Sequence, residues 1–152
     1  GIPQPMQGTV ATNIGRSLRD RLQMDTFPLD GDMGKRAVTH YSVEETMNYV
    51  SLVKCVLETG RTHQIRVHMK SIGHPLFADA RYGGDQILRG LRTQKYSRFV
   101  ANCHDICPRQ ALHAQTLGFV HPETGEEMFF SAPIPADMQA LIEKWRLYSP
   151  VE

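Results

Sequence analysis

The chain has no apolar run approaching the roughly 20 consecutive residues that a membrane-spanning helix needs. Its first ten residues, GIPQPMQGTV, lack the charged-then-apolar order of a secretory signal. The sequence is therefore read as soluble and cytoplasmic, with no membrane partner. Cysteine is scarce: Cys55, Cys103 and Cys107 are an odd number in a chain large enough to fold without staples, which argues for reduced thiols over a disulfide framework. Internal repeats, coiled-coil heptads and low-complexity segments are missing, and so is a glycine-rich phosphate loop, which counts against small-molecule phosphate chemistry. The stretch CHDIC offers Cys103, His104 and Cys107, but its spacing is not C-x-x-C and no second ligand pair follows, so no metal site is expected. Nothing marks an oxyanion site that would make Cys107 and His113 a nucleophilic pair.

What is present is a chain of 152 residues, 41% of them hydrophobic, enough for one domain with an ordinary core. A net charge of +1 conceals strong segregation. Residues 1–60 hold six Lys/Arg against seven Asp/Glu, residues 61–109 nine against three, and residues 110–152 two against six. The middle third is a basic block. Local charge of one sign attracts anionic partners more than the total does, so this block reads either as a polyanion-binding surface or as a solvated face.

Residues 1–34, rich in Gly, Pro and Asp, read as a short strand and an irregular arm that needs another surface to be ordered. Between Arg36 and Leu57, two runs of β-branched and aromatic residues flank the polar EETMN, the pattern of an antiparallel hairpin. Thr62 is placed as the N-cap of a helix whose buried stripe is Ile65, Met69 and Ile72, ended by Gly73 and Pro75. Residues 85–109 read as a basic loop with some helix. A second hairpin follows, ALHAQTLGFV and MFFSAP around the turn HPETGEE. Pro135 then opens an amphipathic helix with Met138, Leu141, Ile142 and Trp145 on one face. The order of elements predicts an α+β fold, a mixed and mainly antiparallel sheet with packed helices.

On the first of these helices, Arg66 and Lys70 are four residues apart and repel by a few tenths of a kcal/mol. Arg61 and His63 add positive charge at a helix N-terminus, where the dipole disfavours it. Something negative is expected to compensate the set. Arginine suits a carboxylate or phosphate better than lysine does, because its planar fork donates two parallel hydrogen bonds. His68 and His74 read as packed or capping residues, and Asp79 as a turn residue holding ARYGG.

The stretches TGRTHQIRVHMKSIGHPLFADARYGG (Thr59–Gly84) and RQALHAQTLGFVHPETGEEMFFSAPIP (Arg109–Pro135), with Gly34–Tyr41 upstream, resemble the RluA-type family of RNA pseudouridine synthases. The resemblance covers essentially all of residues 1–152 but only the C-terminal portion of that family's catalytic domain. It departs at Ala78, where the family usually has glycine. The family's nucleophile, an aspartate in an HRLD segment, and its tyrosine on a later strand fall upstream of the matched region and are absent from this sequence.

The resemblance implies an isomerase that converts uridine to pseudouridine in structured RNA, with large-subunit ribosomal RNA favoured, RNA rather than DNA as partner, and no cofactor. The chain by itself is expected to be inactive. Arg66 takes the catalytic role of keeping the nucleophile ionised. Arg61, Thr62, His63, Gln64 and Lys70 belong to the RNA-facing rim, and Arg81, Arg89, Arg92, Lys95, Arg98 and Arg109 to phosphate contacts that position RNA without reading its sequence. Leu112 is a candidate apolar wall of the pocket that receives the unstacked base, with plain sheet core as its other reading. A stand-alone, non-catalytic RNA-binding module is the alternative. Self-association through an edge exposed by truncation is a further expectation.

Overall fold

A computed structural model describes residues 1–148. Four strands, β1 (Gln7–Arg16), β2 (Met24–Phe27), β3 (Lys35–Met47) and β4 (Val50–Leu57), form one antiparallel sheet in the order β2-β1-β3-β4. The helix α1 (Gln64–Ser71) follows, then a 3-10 turn at Ala80–Tyr82, α2 (Gln94–Ile106), a separate hairpin of β5 (Thr116–Val120) and β6 (Glu127–Ser131), and α3 (Ala136–Leu147). The α+β class and the antiparallel pairing stand as read from the sequence. No helix among the described residues is long and apolar enough to cross a membrane.

The N-terminal segment departs from expectation. Instead of a short strand and a loose arm, β1 runs for 10 residues and pairs with β3 from Gln7↔Ser42 to Ile14↔Lys35. Every second β1 residue faces the core side, and Val10 and Ile14 are buried there. The β3–β4 hairpin is where the sequence placed it, but EETM belongs to β3. A register shift between Val43 and Glu45 accommodates the extra residue, and the turn falls at Asn48, whose φ is +56°.

Two clusters make the core. Val67 of α1 packs on Ile14 and Ala37 of the sheet, with Tyr82 closing one side. Burying Val67 and Ile14 contributes about 1.5–3 kcal/mol each by removing them from water. The second cluster joins α2, α3 and Met47. Its centre is Trp145, edge-on to Phe99 at 4.9 Å and to Phe77 at 5.9 Å between ring centroids. The expected stripe of α3 is buried as read, with Met138, Leu141, Ile142 and Trp145 all inward. Helix α2 starts at Thr93, whose hydroxyl accepts a hydrogen bond from the Tyr96 N–H at 3.2 Å.

The stripe of α1 requires correction. Val67, His68 and Met69 are its buried residues, together with Gln64, whereas Ile65 and Ile72 are half-buried. The sheet under this helix is studded with threonines, and a histidine meets them. His68, fully buried, places Nδ1 2.8 Å from Thr39 Oγ1 and Nε2 2.9 Å from Thr12 Oγ1. It ties α1 to β3 and β1 at once, the packed role the sequence assigned it.

Candidate functional site

The loop before α1 is built by Gln64. Its Oε1 accepts from the Arg61 N–H at 3.0 Å and the Thr59 hydroxyl at 2.8 Å. Its Nε2 donates to the Val38 carbonyl at 2.9 Å and to Thr39 Oγ1 at 3.0 Å. All four hydrogen-bonding positions of the buried amide are therefore used. This changes the reading of two residues. Gln64 faces the core rather than the RNA rim. Thr62 is exposed and is not the N-cap, a position held by His63 with a left-handed backbone (φ +56°) and no side-chain cap bond. Gln64, reaching back, instead ties the Thr59–Arg61 stretch before the helix to β3.

The left-handed turn aims the His63 ring at Tyr82, with Nδ1 2.8 Å from the phenol oxygen. That oxygen already accepts from the Met24 N–H at 2.9 Å, so its own hydrogen goes to His63 Nδ1. Burial first, then the nearby Arg66 and Arg81, push the His63 pKa down, which favours the neutral ring with Nε2–H outward.

One turn on, Arg66 meets Asp79 side-on: Nε to Oδ2 and Nη2 to Oδ1 are both 2.8 Å. The Asp79 side chain is 1% exposed and that of Arg66 12%. The hydrogen bonds that Arg66 donates to Asp79, set against the opposing effect of burial, raise the Arg66 pKa above its ordinary value. Tyr82 lies under the guanidinium, 4.9 Å from Cζ to ring centroid, and Lys70 Nζ sits 5.7 Å from the same ring. A negative group that offsets the cationic cluster is thus Asp79, which also sits in the turn expected from the sequence. Its placement depends on the loop Leu76–Gly84, where the Asp79 carbonyl accepts from the Gly84 N–H at 2.8 Å and the Gly84 carbonyl from the Ala78 N–H at 2.9 Å. A side chain at Gly84 would run into the Leu76 carbonyl oxygen. Ala78 has φ +61°, the left-handed region, so a glycine at this position avoids a steric cost that alanine bears.

The β1–β2 connection adds cations beyond those expected from the sequence. Arg16 donates to the Arg21 carbonyl at 3.2 Å, and Arg81 to the Leu22 carbonyl at 3.1 Å. Lys70 reaches Gln23 Oε1 at 3.5 Å. Arg16, Arg66, Arg81, Lys70 and His63 therefore share one neighbourhood, and three arginines within GRSLRDR were the available signal. Arg61 stays near it, its Nε donating to the Arg36 carbonyl at 2.9 Å.

The other basic residues are elsewhere. Arg89 and Arg92 are exposed on the loop before α2, and Lys95 and Arg98 on its first turns. Arg109 is committed to Asp137, with both fork contacts at 2.9 Å, and also donates to the Leu112 carbonyl at 3.3 Å. That bracing sets Leu112 in the wall of an apolar cavity of about 570 Å³, lined also by Leu52, Cys55, Ile65, Met69 and Ile134. Arg66 is not in its lining, so within this chain the guanidinium and the candidate pocket wall are not brought together. Cys103 and Cys107 are buried, and burial pushes the Cys103 thiol up to about 11.

Comparison with known proteins places this geometry. Residues 2–71 match the family model described as RNA pseudouridylate synthase. An uncharacterized RNA pseudouridine synthase of Chlorobaculum parvum is 49% identical over 96% of this chain and 44% of its own length. A ribosomal large subunit pseudouridine synthase D of Vibrio vulnificus is 45% identical over 91% of this chain and 40% of its own. The chain thus spans less than half the length of these relatives. Among solved structures, human RNA pseudouridylate synthase domain containing 1 superposes with a TM-score of 0.64 and 25% identity, over 100% of this chain and 64% of that one. The TGRTHQIR motif folded around Arg66 and the sheet beside it thus belong to a chain that is similar, over most of its length, to RNA pseudouridine synthases.

Proposed function

We propose that residues 1–152 are the C-terminal portion of a catalytic domain that isomerises uridine to pseudouridine in structured RNA, with large-subunit ribosomal RNA as the substrate class and the cytoplasm as its place of work. The C1′–N1 bond breaks, uracil turns, and a C1′–C5 bond forms; C5 loses its proton and N1 ends protonated. No metal or organic cofactor enters this balance. The nucleophilic aspartate comes from an upstream segment, so the chain alone is inactive.

The observation that carries this reading is the half-open fork of Arg66. Two of its five N–H donors bind Asp79, and the rest have no hydrogen-bond acceptor among the described residues. An edge of a part-buried guanidinium with cations around it is suited to hold a second carboxylate in its ionised form. Arg61, His63, Lys70 and Arg81 supply backbone contacts around it, and Arg89, Arg92, Lys95 and Arg98 a second set.

The apolar surface left in water supports the fragment reading. Leu117, Phe119, Met128 and Phe130 share one face of the β5–β6 hairpin, and Leu117 is 61% exposed. A two-stranded hairpin without cover is marginal in water. The remaining polypeptide of the domain is the cover we assign to it, and self-association is the expected behaviour without it.

The test is to incubate the full-length gene product with a large-subunit ribosomal RNA transcript and to measure pseudouridine. Product supports the proposal. RNA binding with no product supports the stand-alone binding module instead.

A further inference from the structure

We propose that Asp79 is a positioning residue for the reaction: it fixes the Nε–Nη2 edge of Arg66 and offsets its charge, so that Arg66 meets the nucleophile as a directed hydrogen-bond donor rather than as a free cation. This inference rests on the pseudouridine synthase reading above.

The geometry supports it from three sides. Asp79 holds one edge of the guanidinium at 2.8 Å twice over, and Tyr82 holds one face at 4.9 Å. Tyr82 is itself fixed by His63 and the Met24 N–H. Asp79 has no freedom of its own: it is 1% exposed, with its N–H donating to the Leu76 carbonyl at 3.1 Å and its carbonyl accepting from Tyr82 and Gly84. What remains open is the Nη1 side. A guanidinium locked in this way loses little rotamer freedom when a second carboxylate arrives.

The electrostatic consequence has a sign. The titratable and charged groups around Arg66, besides Asp79, are Tyr82 under its face, Lys70 over the same ring, and His63 at the start of α1, on which Arg66, Arg81 of the 3-10 turn and Arg16 of β1 all act. Asp79 is the acid set against them. A carboxylate beside that cluster, facing both Arg66 and Asp79, feels an attraction reduced by the Asp79 charge. Replacing Asp79 by a neutral isostere therefore lowers the nucleophile's pKa further, even as it loosens the fork.

The experiment measures kcat and KM against pH for the full-length protein and its Asp79→Asn, Asp79→Glu, Arg66→Lys and Arg66→Ala variants. Asp79→Asn is expected to lose kcat on the order of 10²-fold, as a misplaced contact does, with KM within about threefold. The acidic limb of kcat/KM is expected to move to lower pH. Asp79→Glu keeps the charge and is expected to lose kcat with the limb unmoved. A limb that stays in place or moves up in Asp79→Asn overturns the proposal, because a structural role alone lowers activity without shifting it. If Asp79→Asn does not fold, Arg66→Lys decides: lysine keeps the charge without the fork, so a kcat within about twofold of the parent overturns the positioning role. Unchanged product formation in Arg66→Ala instead overturns the underlying functional reading, whatever Asp79 does.

Discussion

Arg66 and Asp79, 13 residues apart in sequence, form a side-on pair with both contacts at 2.8 Å, one partner on α1 and the other in the turn that follows it. The pair fixes the direction of the candidate catalytic arginine before any substrate is present.

The first prediction concerns stability. Asp79→Ala strands a guanidinium that is only 12% exposed, and the loss of a buried partner costs about 3 kcal/mol. Arg109→Ala breaks a pair open to water, with side chains 38% and 32% exposed, and is expected to cost much less. Urea unfolding of both variants checks the contrast; equal losses contradict it.

How much of this was legible in the sequence depends on how local each signal is. The stripe of α3 was readable because Met138, Leu141, Ile142 and Trp145 fall on one helical face within eight residues. The β5–β6 hairpin was readable from its TG turn. The strand β1 was not, since Thr9, Thr12 and Asn13 dilute its pattern and its order comes from pairing with β3, roughly thirty residues away. Thr62 fits a local capping rule, but the left-handed backbone of His63 starts the helix one residue later. The role of Arg66 came from the resemblance of its HQIR segment, while Asp79 gave no sign of being its partner, because the contact exists only after Ala78 and Gly84 have bent the loop back.

Ala78→Gly follows from that loop. Alanine at φ +61° bears a cost of about 1 kcal/mol that glycine avoids. The variant is expected to unfold about 2–4 °C higher. A lower midpoint in a thermal scan counts against the left-handed conformation at this position.

The pH dependence of stability turns on the buried His68 and the partly buried His63. Burial lowers the His68 pKa from 6.5, and His63 shifts the same way. The unfolded chain therefore binds more protons than the folded one below about pH 6.5, and stability rises with pH across that window. It is fully present above the unfolded pKa and is lost as pH falls through the folded ones. His68→Gln is expected to flatten the slope between pH 7 and 5; an unchanged slope assigns the effect to other groups.

RNA binding is expected to use the exposed arginines. Arg89→Ala with Arg92→Ala should weaken affinity and reduce the slope of log K against log salt by about 0.7–0.9 for each phosphate that is no longer neutralised. An unchanged slope removes the loop before α2 from the RNA surface.

The most direct measurement is pseudouridine formation and RNA affinity, side by side, for the full-length protein and its Arg66→Ala variant. The account predicts that product is nearly abolished while affinity stays within several-fold. Product at the parent level, or affinity that falls in proportion to product, contradicts it.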